Sequence, residues 1–149
     1  MDLIGARVIC WFVDDCYGIL EYIQATKQFR IKPRSLEDYI RDPKCTGYRA
    51  LHLLADVSYD RVKTYGKQRT VVEDGMICEI QIRTKLQDAW AEFTHKVHCE
   101  VPAEFQADYE TAIAEIARRL AAEDRSALVV RGMLQRHAEK KELEDFGND

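Results

Sequence analysis

The sequence has no apolar stretch long enough to cross a membrane. Its longest apolar run, residues 8–13, is far shorter than the roughly 20 residues that a membrane-spanning helix requires. No series of basic, apolar and small residues marks a secretory signal peptide. We therefore expect a cytoplasmic protein that does not associate with a membrane.

Paired cysteines and an excess of positive charge are also absent. The five cysteines are widely spaced and form no CxxC pair, which argues against a zinc site and against a disulfide framework. The 22 basic and 26 acidic residues give a formal net charge of -4, so the chain as a whole does not attract nucleic acid. With 149 residues, 46% of them hydrophobic, the chain is long enough for one domain with a core.

The first third of the chain reads as a strand followed by a helix. Residues 4–13 are apolar and rich in β-branched and aromatic side chains, which is typical of a buried strand. Asp14 and Asp15 are candidate caps for a short helix after it. We expect a short strand at residues 29–32 and a turn of helix at residues 35–40.

Two later segments alternate between apolar and polar residues, as half-buried strands do. They are residues 51–58 and 76–83, and a long polar hairpin connection is expected between them at residues 59–74. In the second strand the apolar residues share one face, so the opposite face must point its polar residues toward water, a partner or a ligand. Those polar residues are Glu79, Gln81 and Arg83.

The rest of the chain is predicted to be helical. Thr84 is a plausible N-cap for a helix whose apolar stripe consists of Leu86, Trp90, Phe93 and Val97. Two more helices are expected at residues 104–122 and 126–144. The predicted fold class is therefore α/β (α+β), with a mixed or antiparallel sheet of about four to five strands flanked by helices and with a C-terminal helical segment.

The segment 38–52 has the composition of a ligand-binding loop, because it places glycine, tyrosines and basic residues next to a strand. Gly47 allows a tight turn or a close approach of the backbone to a ligand. Lys44 supplies a charge that attracts phosphate. Tyr48 offers a flat face for stacking a base, but the loop alone leaves open that this ring simply packs in the protein.

Four motifs in order, over about residues 2–99, resemble the synthetase domain of the RelA/SpoT alarmone synthetase family. They read DLIGARV, DYIRDPKCTGYRALH, EIQIRT and LQDAWAEFTH. The resemblance implies a nucleotidyltransferase-like fold and an enzyme of the stringent response. That enzyme would move pyrophosphate from ATP to the 3′-hydroxyl of GTP or GDP, which makes the alarmones pppGpp and ppGpp.

The resemblance also implies roles for particular residues. Tyr48 would stack on guanine, and Lys44 and His52 would contact the acceptor nucleotide. Asp2 and Glu79 would hold Mg²⁺, and Glu79 would help to deprotonate the 3′-hydroxyl. The remaining residues expected at the acceptor site are Gln81, Arg83 and Arg7.

The sequence departs from the family pattern in three places. The family has basic residues that bind ATP before the DLxGxR strand, whereas here that strand starts at residue 2. We therefore expect residues 1–100 to be a synthetase-like domain without its N-terminal ATP-binding part, and residues 101–149 to be a C-terminal helical extension of the same domain. Glu37 lies near the position of a basic pair, and a carboxylate there would repel phosphate. Thr46 stands where the family often has asparagine.

These departures leave three functional hypotheses open. The first is a GTP/GDP pyrophosphokinase domain whose sequence begins late, through truncation or through a wrongly chosen start codon. The second is a catalytically degenerate module that binds a guanine nucleotide or a partner protein as a regulator. The third is a toxin-type relative that acts on adenine nucleotides or on tRNA, and we expect no other nucleic acid as a partner. In all three, we expect a homo-oligomer or a partner protein to complete the fold, because an exposed sheet edge favours association.

Overall fold

The computed structural model describes residues 3–146, which form a five-stranded sheet with helices packed against it. The strands are β1 (Leu3–Cys10), β2 (Phe29–Ile31), β3 (Glu37–Asp38), β4 (Leu51–Tyr65) and β5 (Gln68–Thr84). The helices are α1 (Val13–Ala25), α2 (Lys85–Glu100) and α3 (Gln106–Phe146), and a 3-10 turn, Ala103–Phe105, precedes α3.

The sheet is mixed. Its strand order is β1-β5-β4-β2, and β3 also pairs with β4. β1 runs parallel to β5, whereas β2, β3 and β5 are antiparallel to β4. The predicted α+β class and the predicted number of strands are confirmed.

The main core lies between one face of the sheet and α1. The alternation of β5 buries Cys78, Ile80 and Ile82 on this face, and Leu53 on β4 is also buried there. α1 covers them with its own buried stripe of Cys16, Leu20 and Ile23. Because neighbouring residues of a strand point to opposite faces, the polar residues of β5 lie on the face that α1 does not cover.

The long hairpin connection predicted at residues 59–74 is wrong. β4 and β5 stay paired out to Tyr65 and Gln68, and only Gly66 and Lys67 form the turn. Gly66 has φ of 62°, and a glycine with positive φ at the first position of a two-residue turn is typical of type II′ hairpins. The outer part of this hairpin is exposed on both faces, so its sequence lacks the apolar-polar alternation of a half-buried strand.

The helical turn predicted at residues 35–40 is replaced by β3, which pairs Glu37 with His52 and Asp38 with Leu51. The side chain of Asp38 then accepts hydrogen bonds from the backbone N–H groups of Ile40 and Arg41, at 3.1 and 3.0 Å. Aspartate commonly stabilises turns in this way. This carboxylate therefore fixes the start of the loop that runs to β4.

The two C-terminal helices that were predicted are one continuous helix, α3. Residues 103–131 contain no glycine or proline that would end a helix. Ser126, the expected start of a new helix, donates its hydroxyl to the carbonyl of Ala122 at 3.1 Å and continues the same helix. The carboxylate of Asp124 is used for contacts with another part of the chain and not for capping.

The buried face of α2 is rotated from the predicted stripe. Trp90 is buried as expected, but Phe93 is 45% exposed. The other buried positions are Gln87 and Thr94, which are polar and satisfy their hydrogen bonds locally or with α3. Among the helices within residues 3–146, none is both long enough and apolar enough to cross a membrane.

Candidate nucleotide site on the open face of the sheet

The open face of the sheet brings predicted site residues from three strands into two rows. In one row Arg7 of β1 and His52 of β4 flank Gln81 of β5. In the next row Glu79 lies between Gly5 and Leu54. A Cβ atom added to Gly5 would meet no atom within 4 Å, so the space beside Glu79 is open.

Tyr48 and His52 connect the loop to this face. The hydroxyl oxygen of Tyr48 lies 2.7 Å from Nε2 of His52, and Nδ1 of His52 lies 3.8 Å from Oε1 of Glu79. Burial lowers the pKa of His52, which favours the neutral imidazole, although nearby Glu79 acts in the opposite direction. A neutral imidazole has one donor and one acceptor, so Nδ1–H faces the carboxylate and Nε2 accepts from the tyrosine.

Lys44 lies over two aromatic rings of the same loop. Its Nζ is 4.4 Å from the centroid of Tyr39 and 5.5 Å from that of Tyr48. A cation above the face of an aromatic ring is attracted by the ring quadrupole. The ammonium group is therefore held beside Tyr48 without being neutralised by a carboxylate in these contacts.

The loop is braced against α1 and α3. Tyr17 of α1 donates its hydroxyl to Asp38 at 3.1 Å, and its burial, together with this carboxylate, raises the pKa of Tyr17 to about 12. Gly47 has φ of 85°, and a Cβ atom there would lie 2.4 Å from Cβ of Ala117. Glycine is therefore required at position 47 both by the backbone angle and by the close packing on α3. The side chain of Arg49 stabilises the same loop, because it donates to the carbonyl of Ile40 at 2.7 Å.

A cleft of about 360 Å³ opens between this loop and the helices. Tyr48 and Trp90 line it, with ring centroids 6.1 Å apart, and Nε1 of Trp90 donates to the carbonyl of Ile113 at 3.3 Å. Tyr48 thus packs against Trp90 and also forms a wall of the cleft, and its stacking on a base stays a prediction. The other lining residues are Lys44, Cys45, Thr46, His52, Thr94, His98 and Glu110.

A second cleft, of about 420 Å³, lies on the other side of Tyr48 and is bordered by Arg7 and Arg83. Arg83 is only 3% exposed, and its Nη2 lies 2.6 Å from Oδ1 of Asp88. Nη1 of Arg7 lies 3.4 Å from the same oxygen and 3.5 Å from Glu92. Within residues 3–146, the buried Nε of Arg83 has no hydrogen-bond partner.

The structure therefore gathers seven of the eight predicted site residues around the two clefts and the open sheet face, and Asp2 lies outside the described residues. The sequence did not predict Asp88, which pairs with both arginines, or the contribution of α3 to the first cleft. Asp88 lies five residues after Arg83 and 81 residues after Arg7, so neither pair has the i, i+3 or i+4 spacing that marks helical partners. Residues 3–146 contain no group of three or more His, Cys, Asp or Glu side chains placed to hold a metal ion.

Comparison with known sequences supports the motif-based resemblance. Residues 1–103 match the family model described as a region found in RelA / SpoT proteins. The chain is 32% identical over 123 residues to the GTP pyrophosphokinase YwaC of Bacillus subtilis, covering 80% of this chain and 53% of that protein. It is 32% identical over 138 residues to the GTP pyrophosphokinase YjbM of the same organism, covering 90% of this chain and 59% of that protein.

Solved structures have the same fold. A GTP pyrophosphokinase family protein from Streptococcus pneumoniae superposes with a TM-score of 0.70 at 25% identity, covering 88% of this chain and 64% of that chain. The small alarmone synthetase 1 from Bacillus subtilis bound to its product pppGpp superposes with a TM-score of 0.67 at 27% identity, covering 88% of this chain and 62% of that chain. The chain thus spans between half and two thirds of the length of these relatives.

Proposed function

This chain belongs to the RelA/SpoT family, and from that premise we propose that it transfers pyrophosphate from ATP to the 3′-hydroxyl of GTP or GDP. The names of its relatives support this reaction, since they are GTP pyrophosphokinases and a small alarmone synthetase bound to pppGpp. The observation that carries the proposal is the chain of contacts from Tyr48 through His52 to Glu79. These contacts join an aromatic ring, a neutral imidazole and a carboxylate beside the open face of the sheet.

The proposed acceptor site uses the loop for the base and its phosphates. Tyr48 would stack on guanine, because an exposed ring face binds any base by stacking. Lys44 lies beside that ring and would attract the negative charge of the acceptor. His52, held by Tyr48, would accept one hydrogen bond from the nucleotide at Nε2 when the Tyr48 contact opens.

We assign Glu79 to the reacting hydroxyl. Its side chain is 38% exposed on the open face, and the neighbouring Gly5 leaves room for a ligand. A carboxylate there accepts a hydrogen bond from the 3′-hydroxyl and removes its proton as the 3′-oxygen bonds to the β-phosphorus of ATP. The bond between that phosphorus and the oxygen that bridges to the α-phosphate breaks at the same time, so AMP leaves.

A hard carboxylate oxygen is also the type of donor that Mg²⁺ prefers, so Glu79 fits the role of a Mg²⁺ ligand together with Asp2. When bound, Mg²⁺ would neutralise charge that develops on the transferred phosphates. Mg²⁺ usually takes only one or two protein carboxylates and fills its shell with substrate phosphates and water. A single carboxylate ligand from residues 3–146, that of Glu79, is therefore compatible with such an ion.

The arginines beside Glu79 would orient the phosphates of the two nucleotides. The contact with Asp88 holds the guanidinium of Arg83 in place, and the side chain of Arg7, which borders the second cleft, is 48% exposed. Guanidinium groups bind phosphate oxygens with two parallel hydrogen bonds. Gln81 lies between Arg7 and His52 in the sheet and would complete this polar row.

We also propose that residues 1–100 and 101–149 form one domain. Three contacts of α3 support this proposal: Ile113 accepts from Trp90, Asp124 accepts from Thr84, and Arg131 pairs with Asp15 of α1.

An oligomer or partner protein stays a prediction. It is supported by the exposure of β1 at the end of the sheet, where Ile4 is 44% exposed. Sedimentation of the purified chain tests it, and a monomer at high concentration would count against it.

The test of the function uses the purified chain with ATP labelled in its γ-phosphate, Mg²⁺, and either GTP or GDP. Labelled pppGpp or ppGpp that disappears in Glu79→Gln supports the proposal, and Glu73→Gln, an exposed carboxylate on the same strand, serves as the matched control. GTP binding that depends on Tyr48 but gives no product would support the non-catalytic hypothesis. Turnover of an adenine nucleotide or of tRNA that GTP does not inhibit would overturn guanine as the acceptor base.

A further inference from the structure

A carboxylate of α3 lies in the interior of the protein at the junction between β5 and α2. Asp124 is 4% exposed. Its Oδ2 accepts a hydrogen bond from Oγ1 of Thr84 at 3.0 Å and another from Nε2 of Gln87 at 3.2 Å. Residue 124 is outside the range 1–103 that matches the family model, so this contact joins the family region to the C-terminal helix.

The two residues that Asp124 contacts also bind each other. Thr84 is the N-cap of α2, and its Oγ1 accepts from the backbone N–H of Gln87 at 3.2 Å. The side chain of Gln87 accepts in return from the backbone N–H of Thr84 at 3.1 Å. This reciprocal capping box uses no side-chain hydrogen, so the hydroxyl hydrogen of Thr84 and the two amide hydrogens of Gln87 stay available, and Asp124 accepts the hydroxyl hydrogen and one amide hydrogen.

The junction determines the directions of the side chains of Arg83 and Asp88, which flank it in the sequence. Arg83 comes directly before Thr84, and Asp88 comes directly after Gln87. The 2.6 Å contact between Arg83 and Asp88 therefore spans the capping box, and Asp88 also holds Arg7. A shift of the first turn of α2 relative to the end of β5 would separate Arg83 from Asp88 and change both arginines that border the second cleft.

We propose that Asp124 is a positioning residue that locks the junction between β5 and α2, so that Arg83 and Arg7 are held in place for the phosphates of the bound nucleotide. The part concerning the nucleotide rests on the proposed function, whereas the part concerning Arg83 does not. α3 thereby contributes to the site through a residue that does not touch the ligand.

The composition of α3 supports a specific role for this carboxylate. The other buried residues on the same stripe are apolar, namely Ile113, Ala117 and Ala121. Burial raises the pKa of Asp124, although its hydrogen bonds to Thr84 and Gln87 act in the opposite direction, so an ionisable group at this position is unfavourable for folding alone. Buried polar groups that satisfy all their hydrogen bonds fix one arrangement of the elements that they join, which is the effect inferred here.

The experiment compares the wild-type chain with Asp124→Ala and Asp124→Asn, and uses Glu123→Ala, an exposed carboxylate on the same turn, as the control. The first readout is hydrogen exchange at Nε of Arg83, followed by NMR without nucleotide. The second is the Kd for GDP, measured at low temperature where the variants stay folded. Asp124→Ser, which removes the carboxylate that accepts the two bonds and leaves the capping box of Thr84 and Gln87 unchanged, replaces Asp124→Ala if that variant does not fold.

We expect Asp124→Ala to speed the exchange at Arg83 and to weaken GDP binding, each by about tenfold, the effect of one lost hydrogen bond to a charged group. Asp124→Asn should keep the exchange rate at Arg83 and the Kd for GDP near their wild-type values, because its amide oxygen can accept the same two bonds. A variant that melts earlier but leaves the exchange at Arg83 and the Kd unchanged would overturn the inference. If the wild-type chain binds no GDP, the proposed function fails, and the exchange at Arg83 still decides whether Asp124 positions it.

Discussion

The hydroxyl oxygen of Tyr48 lies 2.7 Å from Nε2 of His52, so the aromatic ring of the loop is joined directly to the strand that carries the open sheet face. His52 in turn faces Glu79 on the neighbouring strand. A ligand that inserts beside Tyr48 therefore affects the environment of the carboxylate through one intervening imidazole. This connection lets the effects of the ring, the hydroxyl and the imidazole be measured separately.

Tyr48→Ala should weaken GDP binding by about 1 to 3 kcal/mol, or roughly 5- to 150-fold in Kd, because stacking of a base on an aromatic ring is lost. Tyr48→Phe should keep most of the affinity, since it retains the ring and removes only the hydrogen bond to His52. Titration calorimetry with GDP provides both Kd values. Equal loss in the two variants would show that the hydroxyl and not the ring binds the nucleotide.

The free energy of unfolding should decrease as the pH falls through the range below about 6.5, because burial holds the pKa of His52 under its unfolded value. In that range the unfolded chain binds a proton at this imidazole before the folded chain does, so the unfolded state gains stability. Above the unfolded pKa both states are neutral and the effect is absent. Urea unfolding at about pH 7.5 and about pH 5.5 measures the change.

The control for this pH effect is His52→Gln, which has no ionisable side chain at position 52. Other groups around the site, including Glu79, Lys44, Glu37 and Arg83, stay in both proteins, so the difference between the two pH profiles reports His52. Parallel profiles for the wild type and the variant would show that His52 does not contribute.

The parts of the fold that the sequence predicted are those where one side of an element is buried. β5 alternates because Cys78, Ile80 and Ile82 face α1, and this pattern also put Glu79, Gln81 and Arg83 on the opposite face. The family motifs coincide with these positions. The gathering of Arg7, Gln81 and His52 into one row depends on strand order and register, which a single strand pattern does not specify.

The parts that the sequence did not predict are governed by contacts between elements. The outer hairpin shows no apolar-polar alternation because both of its faces meet water. Its two strands nevertheless stay in register, because they continue the pairing of the inner parts of β4 and β5. α2 buries Gln87 and Thr94 in place of Phe93, because Gln87 reaches Asp124 and Thr94 bonds to the carbonyl of Trp90. The long-range bond from Gln87 and the local bond from Thr94 satisfy these buried polar groups, so polar residues take interior positions that the apolar pattern assigned to Phe93.

Gly47→Ala should destabilise the protein by about 1 to 3 kcal/mol, because the new Cβ would combine an unfavourable positive φ with a clash against Ala117. The matched control is Gly66→Ala, which has a similar φ of 62° but no atom within 4 Å of the added Cβ. Gly66→Ala should lower the free energy of unfolding by only about 1 kcal/mol, because it introduces only the unfavourable backbone conformation. Urea unfolding provides both free energies.

A double-mutant cycle separates the clash from the backbone strain at Gly47. Ala117→Gly removes the methyl group that the new Cβ would meet, so it should recover part of the stability lost in Gly47→Ala. Ala117→Gly alone should cost about 1 kcal/mol as a glycine within a helix. Additive effects of the two substitutions would mean that the loop moves away from α3 instead of clashing with it.

The outer half of the β4–β5 hairpin should open without unfolding the rest of the sheet. Val62 and Val71 form a cross-strand pair there, yet they are 60% and 63% exposed, whereas Leu53 further along β4 is 1% exposed. Regions with few buried apolar contacts open locally at lower free energy than the whole protein. Backbone amides of residues 59–74 should therefore exchange with deuterium faster than those of residues 77–83.

Two substitutions separate local opening from global unfolding. Val62→Ala should accelerate exchange in the outer hairpin alone. Leu53→Ala should lower the free energy of global unfolding by about 2 to 5 kcal/mol and accelerate exchange in both ranges. If the outer hairpin instead exchanges as slowly as residues 77–83, a second chain must cover it in solution, and its protection should then fall on dilution.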